Sequence, residues 1–266
     1  MEAAEAVRRA RVPIELLASR RYDPQVRELV ELNERHRFFG VYILGRTAPL
    51  HAGPRTAAAL ATMFPFGLVS RFFEKVAAVQ PIEEVRGLYL AACEAIGKRE
   101  FTDLPDAGEL ADLLDTVVAH ADVAGCPLAA AWAELPAPRN VGARIERAST
   151  VLREHRGAGH LAVLKTHGLQ APDALIVASL WSGDGDPEGG TRWNGWRDDD
   201  LAAAWVRLDA AGRTAERQLT AVGRDERDAI EDLTHALASQ PWARLDEGDR
   251  VRTVELLEAA VALVSK

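Results

Sequence analysis

Apolar residues recur at three- and four-residue spacing along almost the whole of this chain, the period of amphipathic helices with 3.6 residues per turn. Leu110, Leu113, Leu114, Val117 and Val118 form the clearest stripe, while Arg217-Gln218-Leu219-Thr220 reads as one short strand. A chain patterned in this way buries helix against helix. Asp23-Pro24 reads as an N-cap with proline in the first turn. It predicts one long helix through Val26, Leu29, Val30 and Asn33 to Phe38, Phe39, Tyr42 and Ile43. Gly45-Arg46-Thr47-Ala48-Pro49-Leu50 ends it, because glycine can close a helix and a residue before proline avoids helical geometry. Shorter helices follow at about 54–63, 68–79, 81–98, 107–124 and 128–135, and Pro136-Ala137-Pro138 marks a domain boundary.

Beyond that boundary Val141, Ile145, Ala148, Leu152 and His155 share one helical face. That helix is predicted to stop at Gly157-Ala158-Gly159, with a second starting at His160 and a third following Pro172. Residues 183–197 have loop chemistry, and Asp198 to Asp200 then open a helix that turns Leu201, Trp205 and Leu208 inward before Gly212. Long helices are expected over 223–239 and 249–264. The expected fold is mainly α, with an N-terminal helical bundle (1–138) packed on a C-terminal winged-helix domain (139–266) that carries a short β wing.

The 266 residues are 48% hydrophobic and 27% charged, the profile of one large or two small globular domains. With 32 basic against 40 acidic residues the net charge is −8, so the molecule as a whole repels polyanions. Arginine outnumbers lysine 28 to 4, which together with the many alanines fits the codon bias of a GC-rich bacterium. Cys93 and Cys126 lack metal-ligand spacing, so neither a disulfide framework nor a zinc site is expected, and a reducing cytoplasm fits best. No run approaches the roughly 20 apolar residues of a membrane span, and charges interrupt the first eleven residues where a signal peptide needs an apolar core.

The order of helices, loop, Asp-headed helix, tight turn, strand and long helix between 141 and 238 resembles a winged helix of the MarR type. Ala210-Ala211-Gly212-Arg213 and Gln218-Leu219-Thr220-Ala221-Val222-Gly223-Arg224 are similar to the recognition-helix end and wing of those proteins. Over about 13–257 the chain resembles an uncharacterised actinobacterial helix-turn-helix family. The similarity rests on Gly45 to Leu50, on Leu152-Arg153-Glu154-His155-Arg156-Gly157-Ala158-Gly159-His160, on Trp196 and on Pro241-Trp242. What the resemblance implies is a fold, with no reaction attached to it.

A DNA reader of this type presents the start of its second helix to base edges and flanks it with Lys and Arg for phosphates. Here that helix starts with three aspartates and offers mainly Ala202, Ala203 and Arg207. The ten basic residues of 141–222 are outnumbered by eleven acidic ones, although Arg192, Arg197, Arg213 and Arg217 could form a phosphate stripe. Sequence-specific DNA binding is therefore not the leading expectation.

Two constellations carry possible chemistry. His155 and His160 bracket the predicted glycine turn with Arg156 between them; such a pair could bind an anion, move a proton, or ligate a metal or haem. His155 also continues an apolar stripe, where a histidine bonded to a backbone carbonyl is common. His167 lies seven residues after His160, about 10 Å along a helix, too far to share a metal ion, and no metal site is predicted. The second constellation is aromatic: Phe38, Phe39, Tyr42, Phe64, Phe66, Phe72 and Phe73 cluster in sequence around Arg46, either as ordinary core or as a pocket lining. An arginine in such surroundings needs a counter-charge, and Glu15, Glu34 and Asp103 are the expected partners. Trp193 and Trp196 either cover a cleft or pin the 183–197 loop.

The reading is a cytoplasmic protein that binds a small organic molecule, with Arg46, Arg156, His155 and His160 as polar anchors and Tyr42, Phe64 and Phe66 as walls. As an enzyme it would use His155 or His160 for acid/base work. No cofactor is specified. The alternative is a MarR-like ligand-responsive regulator of transcription, which needs a homodimer to span two half-sites of DNA.

Overall fold

A computed structural model describes residues 1–18, 23–29, 34–183 and 185–264 of the chain. Helices dominate: α1 (Ala3–Ala18), α2 (Pro24–Arg27), α3 (Glu34–Arg46), α4 (Pro54–Leu60), α5 (Phe66–Ala77), α6 (Ile82–Phe101), α7 (Ala107–Ala119) and α8 (Pro127–Glu134). They continue as α9 (Val141–Thr166), α10 (Ala171–Ser182), α11 (Gly189–Trp193) and α12 (Asp198–Ala210). A hairpin of β1 (Thr214–Ala215) and β2 (Gln218–Leu219) precedes α13 (Ala221–Ala238) and α14 (Glu247–Val264). The mainly α class expected from periodicity is the class observed.

The helix expected from 23 to 43 is two helices. Asp23 caps the first as predicted, its Oδ1 accepting from Gln25 N at 2.8 Å. One turn later Glu28 N donates to Pro24 O and Leu29 N to Val26 O, and the i→i−3 bond tightens the turn and closes α2. Val30 and Asn33 lie outside the described residues, as do the side chains of Phe38 and Phe39.

Gly45 does not end α3, which runs on to Arg46. Its missing side chain is instead a packing requirement: a Cβ at 45 would stand 2.1 Å from Cδ2 of the buried Tyr89 on α6. The break comes at Thr47, whose Oγ1 donates back to Ile43 O at 2.9 Å, followed by a 3-10 turn over Ala48–Leu50.

Gly157-Ala158-Gly159 does not break α9 either; the helix is continuous for 26 residues. The stop lies at Gly168, where φ is +67°. There Leu169 N donates to Leu164 O and Gly168 N to Lys165 O, the paired bonds of a Schellman cap. A glycine ends a helix when it supplies left-handed backbone at the cap, and otherwise costs only about 1 kcal/mol in the interior.

The 183–197 segment contains one element that its composition hides. Asp186 Oδ1 accepts from Glu188 N at 3.1 Å and Gly189 N at 2.9 Å, two amides at the entry to α11. The predicted strand exists as β2, with Thr214 opposite Leu219 and Ala215 opposite Gln218. Glu216 and Arg217 form its two-residue turn, both at positive φ.

Two compact units are assembled from segments that alternate along the chain. The first comprises residues 1–53, 72–159 and 235–266, so Pro136-Ala137-Pro138 falls inside its middle segment; the second comprises 54–71 and 160–234. In the first, Val7, Ala10, Ile14 and Leu17 line one face of α1 and join Leu110, Leu114, Ile145, Leu152, Trp242 and Leu257 in the core. Where α6 crosses α9, a Cβ at Gly142 would lie 2.3 Å from Gly97 O, so the two backbones touch through paired glycines. In the second unit, Val163, Ile176, Val177, Leu201, Trp205, Leu208 and Ile230 form the core. No helix among the described residues is long and apolar enough to cross a membrane.

Candidate functional site

The continuous helix α9 decides the geometry. On it, residues 152, 153 and 156 lie near one another, since i, i+1 and i+4 fall within about one turn. Val7, Arg11, Ile14 and Glu15 make the corresponding strip on α1 at four- and three-residue steps. Within the first unit these strips, with Arg46, His155, Gly157, Ala238 and Trp242, enclose a cavity of about 180 Å3. Four of its lining residues are arginines: Arg11, Arg46, Arg153 and Arg156.

Behind this wall lies Glu154, with 1% of its side chain exposed. Arg46 grips it with two nitrogens, Nε to Oε1 at 2.8 Å and Nη2 to Oε2 at 2.7 Å. Arg153 Nη1 donates to the same carboxylate at 3.0 Å, while its Nε donates to Glu15 Oε2 at 2.7 Å and its Nη2 to Tyr42 Oη at 2.9 Å. The counter-charge that Arg46 requires is thus supplied by Glu154, and Glu15 pairs with Arg153. Glu34 lies outside the described side chains. Burial opposes the charge on Arg46, but Glu154 outweighs it and the guanidinium holds its proton more firmly than usual. Burial likewise raises the Glu154 carboxyl, yet Arg46 and Arg153 prevail and hold it below the ordinary carboxylate value. Trp132 Nε1 donates to Arg46 O at 3.0 Å and fixes the backbone from which the arginine extends.

His155 and His160 do not flank a turn. Five residues apart on one straight helix, they point roughly 140° away from each other around its axis. His155 lines the cavity and is 6% exposed, with Nε2 donating to Asp122 O at 3.0 Å. That bond places its proton on Nε2, and burial holds its pKa below the usual histidine value. His160 belongs to the second unit, where Nδ1 stands 3.0 Å from Thr234 Oγ1.

Of the other expected site residues, Arg46 and Arg156 line the cavity. Tyr42 stands behind it, 9% exposed and bonded to Arg153. Phe64 and Phe66 belong to the second unit; Phe66 is 51% exposed, with the Arg55 guanidinium 5.8 Å above its ring. Neither is a wall of the first unit's cavity. Phe72 and Phe73 are plain core. Sequence reasoning missed Arg11, Arg153, Glu154 and Gly157. The signal was present: Arg153 and Arg156 stand three residues apart within the predicted helix, and so on one face of it. A second cavity in the same unit, about 350 Å3, includes Cys93, Trp132 and Glu146, and its Arg147 donates to the carbonyls of Trp132, Leu135 and Pro136.

The second unit contains the acid-headed helix α12. Asp200 Oδ2 accepts from Arg197 N at 3.0 Å, so one of the three aspartates is occupied in capping. Ala202, Ala203, Val206, Asp209 and Ala210 are the exposed positions further along. The four arginines of the imagined phosphate stripe all face carboxylates: Arg192 pairs with Glu188 and Asp198, Arg197 with Asp200, Arg213 with Glu226 and Arg217 with Glu188. Arg207 pairs with the buried Asp173. Trp196 Nε1 donates to Met63 O at 2.9 Å, so this tryptophan pins its loop.

A family model described as a helix-turn-helix family matches residues 7–266. No curated protein and no solved structure matches the chain.

Proposed function

The chain belongs to a helix-turn-helix family, and from that premise we propose that it binds a small organic molecule in the arginine-lined cavity of its first unit without reading DNA sequence through its second. The observation that carries this reading is the cavity, where four arginines, the carboxylate of Glu15, the imidazole of His155 and apolar side chains of α1 and α9 line one space of about 180 Å3. Polar anchors set beside apolar walls are the usual chemistry of small-molecule sites. Glu154 preorganises Arg46 and Arg153, so their positions are set before any ligand arrives. His155 is a positioned hydrogen-bonding wall in this account rather than half of an acid/base pair.

The order α10, α12 and β hairpin supports a second reading, a winged helix of the MarR type in a regulator that senses the same ligand. Against sequence readout stands the exposed face of α12, made of alanine, valine and aspartate, with neighbouring arginines engaged by carboxylates. Base-edge recognition relies on side chains such as Arg, Asn and Gln, which that face lacks.

Fluorescence anisotropy against random-sequence duplex DNA, over a series of salt concentrations, separates the two. The expected result is no binding tighter than the roughly micromolar level of non-specific association. Salt-sensitive nanomolar binding would overturn the reading in favour of the regulator. Native mass spectrometry of freshly purified protein supplies the other arm, where a retained mass of a small organic molecule is the expected outcome.

A further inference from the structure

Gly157 sits inside α9, where glycine is a poor helix former, and makes no close packing contact that would demand it. A Cβ built there meets a single neighbour within 4 Å, Arg46 Nη2 at 4.0 Å. This is unlike Gly45, Gly97 or Gly142, where a Cβ would collide with the adjoining helix. What the bare position leaves open is the space of the cavity beside the Arg46 guanidinium. Arg156 follows from the same turn of α9 and lines the same space, as does Arg11 from α1. Guanidinium groups match the paired oxygens of carboxylate and phosphate in two parallel charge-assisted bonds. One carboxylate, Glu15, also lines the space and is held by Arg153 Nε at 2.7 Å, while Ile14, Leu152 and Trp242 supply apolar surface. For scale, an apolar cavity of about 150 Å3 holds a benzene ring.

We propose that this cavity recognises an organic oxyanion, a carboxylate or phosphate on a body about the size of one aromatic ring, and that Gly157 is the residue that keeps its seat open. The proposal rests on the small-molecule reading above and adds the charge and size of the ligand. The oxyanion lies toward the guanidinium groups around Gly157, and the ring lies against Leu152 and Ile14. The chemistry is shared by organic acids and organic phosphates, and the experiment distinguishes them.

Isothermal titration calorimetry with benzoate, phenyl phosphate and the neutral isostere benzamide tests it on the full chain, using wild type, Gly157→Leu and Arg156→Gln. Benzoate or phenyl phosphate, whichever head group the site prefers, binds wild type about tenfold or more tighter than benzamide. Arg156→Gln lowers anion affinity while leaving benzamide affinity unchanged. Gly157→Leu, which favours the helix and fills the space, keeps its melting cooperative and loses both anions. Benzamide binding as well as the anions, with Gly157→Leu still blocking, overturns the oxyanion assignment and leaves the small-molecule reading standing. Anion binding that survives Gly157→Leu overturns the cavity as the site, and with it the reading beneath. Failure of all three probes to bind overturns the ligand class.

Discussion

Glu154 is one buried carboxylate facing two arginines. Removing its charge takes from the largely buried Arg46 guanidinium the carboxylate that grips it, and breaking such an arrangement costs about 3–5 kcal/mol. Glu154→Gln is therefore expected to lower the urea midpoint by that equivalent; a change under about 0.5 kcal/mol would remove Glu154 from the role given to it. The pH dependence has a definite sign. The folded Glu154 carboxyl lies below its unfolded value, so its stabilisation is complete above the unfolded value near about 4.3 and is lost as pH falls through the folded one. His155 is held below the usual imidazole value by burial, so its contribution is complete above about 6.5 and declines as pH falls toward its folded value. Urea midpoints measured at successive pH values should thus weaken in two stages, and His155→Gln should abolish the first. At this scale the sequence declared a need without naming the partner: Arg46 among aromatics required an anion. The anion stands 108 positions away on α9, a separation at which no local spacing pairs the two residues.

The glycines make the argument for whole elements. Gly45, Gly157, Gly159 and Gly168 look alike in sequence as helix stops, yet only Gly168 has the positive φ that ends a helix. Gly45 is a contact point between α3 and α6, Gly157 faces open space, and the difference is invisible without knowing which helix lies opposite. Alanine at the two positions should act in opposite directions. Gly45→Ala forces the buried Tyr89 ring to move and should cost about 1–3 kcal/mol despite the better helix propensity. Gly157→Ala meets only the end of a flexible arginine and should gain about 0.5–1 kcal/mol. Differential scanning calorimetry of both variants checks the signs; stabilisation by Gly45→Ala would refute the close packing at α3 and α6. Elements whose evidence is local were legible: the Asp23 cap, the inward Leu201, Trp205 and Leu208 of α12, and the β2 strand. The short helix α11 was not, because only Asp186, accepting from two entry amides, marks its start within a composition that otherwise reads as loop.

For the molecule as a whole, helical periodicity fixed the mainly α class. The assembly of each unit from non-adjacent segments lay beyond the sequence, since tertiary partnership leaves no local mark. The same composition that suggested codon bias has a chemical outcome. Among the described residues, each side-chain cation named above in a carboxylate pair is an arginine, and the described lysines, Lys75, Lys98 and Lys165, take no part in those pairs. Reductive methylation, which modifies amines, should therefore leave the melting temperature nearly unchanged. A dicarbonyl such as phenylglyoxal, which modifies guanidines, should lower it progressively; equal sensitivity to both reagents would contradict this assignment of the pairs. A framework pinned in this way is blind to lysine acetylation, so acyl-donor chemistry in its surroundings has no purchase on the contacts that hold Arg46 and Arg153 in place.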